Sequence, residues 1–365
     1  MRALFKILII TIFITSTLCV SHAQPTLTKK EIIDKMPLEY REELQSRYGD
    51  ELEENLFETL LNEFNRFEDN SFDKIQVSRF LADLGDKRAV EPFINALINA
   101  DLSTIRCLED FHISVSIAFG LGKLKDTRAV EPLISLINEK QPFCLLEAIS
   151  IALGEIGDSK AIKPLVPLMK SKSRKLQKTV AEKLTNLGWK PKNQSEEITY
   201  LIAQGKWDEL IKIGKPAVEQ LINALDCWVY QGRGVSRKGY SIKALGEISD
   251  KRAIVPLIKY YTSIVVYGEF SGPDPSKILD KMEPNWRYHP EIGKAIERRL
   301  LYLKKVEKRV HNNSNMSAQR YNERVHREQT YVEEELIRLT GESFDANPEK
   351  WQSWYEANKN SYIKK

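Results

Sequence analysis

Histidine and cysteine are scarce in this chain, which has five histidines and four cysteines among 365 residues. No histidine stands in an H-E-x-x-H pattern, and no C-x-x-C pair occurs. Zinc and di-iron sites built on helices rely on such spacings. We therefore predict no metal ligand and no cofactor.

Short catalytic motifs are also missing from the sequence. It has no G-x-x-x-x-G-K-[ST] phosphate loop and no G-x-S-x-G elbow around a serine. We therefore predict a protein without catalytic residues. A lyase or hydrolase whose site lies on the concave face of the repeat fold described below is the alternative from another functional class.

A strong charge of either sign is absent as well. The formal net charge is +4, and removal of Arg2 and Lys6 with the N-terminal segment leaves +2. Proteins dedicated to nucleic acids or anionic membranes usually carry a larger basic excess. We expect protein partners rather than nucleic acid.

The N-terminal segment has the pattern of a secretory signal. Two basic residues precede the apolar run Ile7–Val20, and the small-x-small sequence Ser21-His22-Ala23 follows it. A run of 14 residues is short for a membrane-spanning helix. We predict cleavage after Ala23, a secreted or periplasmic protein, and no stable membrane insertion once the signal is removed.

One phrase occurs four times in nearly the same form. The copies are LADLGDKRAVEPFI from Leu81, LGKLKDTRAVEPLI from Leu121, LGEIGDSKAIKPLV from Leu153 and LGEISDKRAIVPLI from Leu245. A degenerate copy, LIKIGKPAVEQLI, begins at Leu210. Repeats of this length indicate a solenoid of small helical units. Each copy predicts the end of one helix, a short turn, and a second helix with an apolar stripe.

The turn of each copy carries an aspartate followed two residues later by a base. We interpret the aspartate as a cap for the second helix and the base as a link to the neighbouring repeat's turn. A ladder that binds an acidic partner is the alternative. The pairs are Asp86/Arg88, Asp126/Arg128, Asp158/Lys160 and Asp250/Arg252.

These phrases resemble HEAT repeats of the subgroup named after phycobilisome lyases. The resemblance extends from about Phe72 to Lys359 and includes the closing segments Ala181–Ile222 and Ile278–Trp286. It implies an all-α, right-handed α-solenoid with helical caps. It does not fix a function, because scaffolds, lyases, hydroxylases and inhibitors share such repeats. The di-iron hydroxylases among them need paired His-Glu motifs, which this sequence lacks, and the bilin lyases act in the cytosol, which conflicts with a secretory signal.

Composition divides the chain into five predicted segments. They are a signal peptide over 1–23, an N-terminal helical cap over 24–71, HEAT-like repeats over 72–268, degenerate repeats with long charged helices over 269–340, and an aromatic capping helix over 341–365. Breaks at Pro37 and Gly49 predict two or three helices in the N-terminal cap.

The connections between helix pairs are the predicted place for a partner. They run over 100–111, 139–143, 226–237 and 261–277. One of them, over 226–237, combines aromatic residues with arginine, and another, over 261–277, is rich in tyrosine and phenylalanine. Such residues are common at the centre of protein interfaces. We define the predicted edge patch as Trp228, Tyr230, Arg233, Arg237, Tyr267 and Phe270. Residues that fold back over the core, or an aromatic platform for an envelope polysaccharide, are the alternatives.

Three cysteines remain after signal removal. Cys107 and Cys144 both precede the first helix of consecutive units, which predicts a Cys107–Cys144 disulfide. Three buried, reduced cysteines are the alternative. We conclude from the sequence that this is an exported, non-catalytic scaffold for protein–protein interaction in the cell envelope.

Overall fold

A computed structural model of the chain describes residues 27–68, 71–105, 112–138, 140–226, 237–264, 274–307, 316–344 and 347–363. All regular structure in these ranges is helical: α-helices joined by short 3-10 turns, with no strand. The predicted all-α fold is confirmed. The chain forms two compact units that divide in sequence between Ala161 and Ile162.

In the described part of the first unit, four helices precede the repeats. They are α1 (Lys29–Lys35), α2 (Leu38–Tyr48), α3 (Glu51–Glu54) and α4 (Leu56–Arg66). Pro37 separates α1 from α2, and Gly49 ends α2 with a φ of +56°. The apolar side chains of α4 are buried against α5 (Phe72–Leu84), the first helix of the first repeat.

The repeats of the first unit are helix pairs joined by 3-10 turns. The first pair is α5 and α6 (Val90–Asn99), and the second is α7 (Ile113–Leu124) and α8 (Val130–Ser135). The third pair begins with α9 (Phe143–Ile156), which is followed by the turn Ser159–Ala161. Helix α7 packs between α5 and α9, so the first helices of the three repeats form one row.

A glycine in α7 allows two of these helices to approach closely. A Cβ atom added to Gly122 would lie 2.6 Å from the Cα atom of Ala152 on α9. No side chain fits between two backbones at that distance. The glycine costs about 1 kcal/mol of helix propensity relative to alanine, and the close packing of α7 on α9 offsets it.

The second unit continues with seven helices. They are α10 (Ile162–Leu165), α11 (Arg174–Asn186), α12 (Gln194–Gln204), α13 (Trp207–Ile213), α14 (Val218–Asn223), α15 (Arg237–Ile248) and α16 (Ile254–Ile264). The degenerate copy from Leu210 is the pair α13 and α14, and the copy from Leu245 joins α15 to α16. Helix α15 packs against both α13 and α14.

Four further helices close the second unit. They are α17 (Pro275–Met282), α18 (Pro290–Glu307), α19 (Met316–Thr340) and α20 (Pro348–Ile363). Gly341 ends α19 with a φ of +83°, and the Asn347 side chain accepts a hydrogen bond from the Lys350 N–H at the start of α20. Helix α18 packs against both α19 and α20.

The aromatic residues of α20 complete the core of the second unit. Trp351 is fully buried, and its ring lies 4.8 Å edge-on from that of Phe344. Tyr355 donates a hydrogen bond to Glu297 Oε1 of α18 at 2.8 Å. The tyrosine reaches α18 because α18 packs along both α19 and α20.

No helix in the described ranges is both long enough and apolar enough to cross a lipid bilayer. The predicted signal segment lies outside these ranges.

Candidate functional site

The repeated aspartate caps the 3-10 turn that precedes the second helix of each pair. Asp86, Asp126 and Asp250 each accept a hydrogen bond from the backbone N–H two residues later, at 2.9, 3.0 and 2.9 Å. Asp158 does the same with the Lys160 N–H at 2.8 Å. The carboxylate thus satisfies a donor that the first helical turn leaves unpaired.

In three turns the arginine side chain also folds back onto its aspartate. Arg128 Nε donates to Asp126 Oδ1 at 3.0 Å, and Arg252 Nε makes the same bond to Asp250. Hydrogen bonds from the side chain and the backbone of Arg252 lower the pKa of Asp250 to about 2. The pKa of Asp126 is lowered by the corresponding bonds from Arg128. These carboxylates are held ionised, so they are unsuited to proton transfer near neutral pH.

The same bases reach the preceding helix pair, and we call this set of contacts the charge ladder. Each base meets a glutamate at 2.7 to 3.3 Å, and in two turns the arginine also donates to a backbone carbonyl of the preceding turn, Lys87 O or Lys215 O. The ion pairs are Arg88–Glu58, Arg128–Glu91, Lys160–Glu131 and Arg252–Glu219.

The charge ladder consists of two separate runs, one in each unit. The glutamate of the ladder stands three residues after the base position in the sequences RAVE (88–91), RAVE (128–131) and PAVE (216–219). Lys163 and Val255 occupy that position in the other two copies, and Pro216 replaces the base in the degenerate copy. Among the described residues, the ladder therefore has no ion pair between the Lys160–Glu131 pair and the Arg252–Glu219 pair.

The predicted edge patch lies almost entirely outside the described residues. Trp228, Tyr230 and Arg233 fall in 227–236, and Tyr267 and Phe270 fall in 265–273. Arg237 is the first residue of α15. The patch stays a prediction.

Two tyrosines that flank the edge patch in the sequence, Tyr240 and Tyr261, pack against other aromatic side chains. Tyr240 of α15 stacks on Trp207 of α13, with ring centroids 5.7 Å apart and planes 4° apart. The predicted connection that begins at Tyr261 is wrong at its first residues, because α16 continues to Ile264. Tyr261 is buried, packs edge-on against Trp286, and donates to the carbonyl oxygen of Arg338 at 2.9 Å.

Cys144 stands in the first turn of α9 and is disulfide-bonded. Cys107 and Cys227 lie outside the described residues. The predicted pairing of Cys144 with Cys107 remains a prediction.

A cleft of about 590 Å³ lies between α18 and α19 in the second unit. We call it the arginine cleft, because three of its lining side chains are arginines. Arg299 and Tyr302 come from α18, and α19 supplies the other lining residues: Arg324, Arg327, Glu328, Tyr331, Val332 and Glu335. Its volume falls in the range typical of ligand pockets.

The floor of the arginine cleft is a buried ion pair. Arg299 Nε lies 2.9 Å from Glu335 Oε2, and the side chains are 13% and 1% exposed. Arg299 Nη2 has no partner in hydrogen-bond geometry among the described residues. Burial raises the pKa of Glu335 to about 7, while the charge of Arg299, a side-chain hydrogen bond from Tyr331 and the charge of Arg338 act to lower it. The carboxylate is therefore held by internal contacts with both helices.

Sequence analysis missed this pair, although a signal for it is present. Glu335 lies three residues after buried Val332 and four before buried Leu339, so it falls on the apolar stripe of α19. Arg299 lies likewise between buried Ile296 and Leu303 on α18. Opposite charges on the apolar stripes of two long helices predict a buried contact between them.

Within the described ranges, no three histidine, cysteine, aspartate or glutamate side chains converge as they would to hold a metal ion.

Comparison with known proteins concerns the repeats. Residues 109–188 match the family model described as HEAT repeats. A solved structure with similarity to this chain is the complex of CpcE and CpcF of phycocyanin lyase from Nostoc sp. PCC7120. It is 17% identical with a TM-score of 0.34, and the alignment covers 73% of this chain and 98% of that chain. A search of curated proteins gives no significant match.

The family match spans the second and third copies of the phrase, which form helix pairs around α7 and α9. The same pairing of helices recurs in both units. The chain is therefore an all-α protein with HEAT repeats over residues 109–188.

Proposed function

We propose that this protein is an exported, non-catalytic HEAT-repeat scaffold that mediates protein–protein interaction in the cell envelope. The observation that carries the proposal is the charge ladder. The most repetitive charged residues of the chain are engaged in capping turns and joining adjacent helix pairs. Their role is structural, which leaves recognition to residues that differ between repeats.

Two further observations support export. The sequence over 1–23 has the three regions of a cleavable secretory signal. Cys144 is disulfide-bonded, and disulfides persist mainly in oxidising compartments.

Processing and location can be tested together in a natural host. The protein would be expressed with a C-terminal tag, fractionated, and analysed by intact mass and N-terminal peptide mapping. We expect a mature chain that starts at Gln24 in the periplasm or the medium. Full-length protein confined to the cytoplasm would contradict export.

The interaction role is tested by crosslinking and affinity capture of the mature tagged protein from the envelope fraction. We expect specific partners, and we expect W228A/Y267A to lose them if the edge patch binds them. F119A/F143A is the matched control, because it removes two aromatic side chains that are 44% and 43% exposed in the first unit. Unchanged capture by W228A/Y267A would rule out the edge patch.

A further inference from the structure

Basic residues are concentrated in one part of the second unit. Residues 162–195 contain nine lysines and arginines but a single acidic residue, Glu182, which gives them a formal charge of +8. The whole chain carries +4, so the remaining residues together carry −4. The small net charge therefore conceals a strongly uneven distribution. We call residues 162–195 the basic segment.

The fold of the second unit holds these charges at the surface. All nine basic side chains except that of Lys183 are exposed. Helix α11 buries Leu176, Val180 and Leu184 on one stripe, so the remaining basic residues of this helix face solvent. The turn Val166–Lys170 packs against the same helix. The bases of the turn and of the helix therefore belong to one region of the surface.

Three of these bases alternate with serines in the sequence KSKSR (170–174). Ser173 Oγ accepts a hydrogen bond from the Leu176 N–H at 3.4 Å, and Ser171 Oγ accepts one from the Ser173 N–H at 3.2 Å. The serines thus fix the backbone where α11 begins. The three bases between them are exposed and make no ion pair with the part of the chain that the structure describes; they are Lys170, Lys172 and Arg174.

This lack of acidic partners distinguishes the basic segment from the charge ladder. Each base of the ladder meets a glutamate of the preceding helix pair, whereas Lys163 occupies the glutamate position in the third copy of the phrase. Glu182 lies 3.7 Å from Lys178 Nζ, at the next turn of α11. The charges at 170, 172 and 174 therefore add no ion pair to the described fold. Exposed charges of one sign repel one another and attract an anionic partner.

The residue types favour a phosphate surface over an acidic protein or a nucleic acid. Eight of the nine bases are lysines, which bind phosphate as point charges, whereas paired hydrogen bonds to carboxylates need arginine. Stacking on nucleic-acid bases needs accessible aromatic rings. The aromatic residue of the basic segment, Trp189, is buried and packs edge-on against Tyr200. A layer of anionic lipid headgroups suits dispersed lysines, because each lysine near the layer adds to the attraction.

We propose that the basic segment docks this protein on an anionic phospholipid surface. The exposed lysines and Arg174 contact the lipid phosphates, and the contact is peripheral and reversible. This inference rests on the proposed envelope location, which supplies such a surface, and it adds a membrane contact to the proposed protein interactions.

The test is co-sedimentation of the full mature chain with sucrose-loaded vesicles. The vesicles contain either phosphatidylcholine alone or an equal mixture of phosphatidylglycerol and phosphatidylcholine. At about 0.1 M salt we expect binding to the mixed vesicles only, and at about 1 M salt, where the Debye length falls to about 3 Å, we expect release. K170Q/K172Q/R174Q should weaken binding at least about tenfold, because each base near an anionic surface strengthens binding several-fold.

Two matched variants control for the number and the kind of charges. K243Q/K281Q/K305Q removes the same charge from exposed lysines elsewhere in the second unit, which likewise make no ion pair with the described residues. It should change binding less than about twofold, because screening limits the reach of distant charges. K170R/K172R/R174K keeps the charge and should bind like the unmodified protein. Thermal unfolding followed by circular dichroism checks the fold of each variant.

Several results would overturn the proposal. They are absent binding to the mixed vesicles, equal binding to both kinds of vesicle, binding that persists at high salt, and equal loss in the two glutamine variants. Tighter binding of a single-stranded oligonucleotide or of polyglutamate than of the mixed vesicles, at equal concentration of negative charge, would assign the basic segment to nucleic acid or to an acidic protein instead. Full-length protein confined to the cytoplasm would count against the proposed function and would leave the vesicle measurement unaffected.

Discussion

Arg128 Nη2 donates a hydrogen bond at 3.1 Å to the carbonyl oxygen of Lys87, 41 residues earlier in the chain. The same guanidinium holds Asp126 of its own turn through Nε at 3.0 Å. One side chain thus fixes the turn of its own repeat and joins it to the turn before. Arg252 makes the same two contacts with Lys215 and Asp250.

Replacement of Asp126 should destabilise the first unit because it removes both the cap and the acceptor that orients Arg128. We expect D126A to lower the free energy of unfolding by about 1–2 kcal/mol, as for other capping residues. D126N keeps an acceptor for the Arg128 N–H, so it should lose less. Urea denaturation followed by circular dichroism measures the difference.

D158A is the matched control for this effect. Asp158 also caps its turn, but the Lys160 side chain pairs with Glu131 instead. The loss should therefore be smaller than in D126A. An equal or larger loss in D158A would show that the arginine contact to the aspartate contributes nothing.

Alanine at Gly122 should separate α7 from α9. Its Cβ would lie 2.6 Å from a backbone atom of Ala152, so one helix must shift. Overpacking costs roughly 1–3 kcal/mol, partly offset by the better helix propensity of alanine. We expect a net loss of about 1–2 kcal/mol in thermal or urea unfolding.

G246A provides the comparison for Gly122. There the added Cβ meets the side chain of Ile278 at 2.8 Å, and a side chain can change rotamer. G246A should lose less stability than G122A. The reverse order would mean that the α7–α9 contact adjusts more easily than the side chain does.

Truncation of Trp351 should open a large cavity in the second unit. The side chain is fully buried against Phe344 and Trp354. We expect W351A to lower the free energy of unfolding by about 3–5 kcal/mol. W354A, at a partly buried position, should cost markedly less. Similar melting temperatures for W351A and the unmodified protein would contradict the central position of Trp351.

Glu335 should give the protein a specific pH dependence. Its pKa is about 7 in the folded chain, above the ordinary value of 4.5, because burial disfavours the charged form. The folded state therefore retains a proton that the unfolded state releases. This contribution to stability is fully present below pH 4.5 and is lost as the pH rises through 7.

E335Q removes this titration. Between pH 5 and pH 8, the unmodified protein should lose on the order of 1–3 kcal/mol more stability than E335Q does. E334Q, at an exposed neighbouring position, should keep the original pH dependence. Urea denaturation at both pH values measures this, and parallel curves for the unmodified protein and E335Q would contradict the assigned ionisation.

Features with local causes could be predicted from the sequence. The Asp-x-Arg turns, the end of α19 at Gly341, and the start of α20 at Asn347 and Pro348 each depend on neighbouring residues. Capping and the fixed φ of proline act over a few residues, so composition and order suffice to locate them.

Features with distant causes could not be predicted in this way. Tyr261 is buried because Trp286 and the Arg338 carbonyl, far along the chain, meet it. The arginine cleft depends on how α18 and α19 align, which brings Arg299 to Glu335. The sequence shows that Arg299 and Glu335 interrupt the apolar stripes of their helices. The contact between the two side chains becomes visible only when the helices are packed.

The charge ladder also affects which repeats of this chain can be duplicated without loss of contacts between neighbours. A copy with the sequence RAVE carries both halves of the contact, a base for the copy before it and a glutamate for the copy after it. Duplication of the segment from α7 to α8 would therefore produce a matched junction at either side of the new copy. Growth after Lys163 or Val255 has no such built-in match, so duplication of the first or the second copy of the phrase meets the lowest barrier.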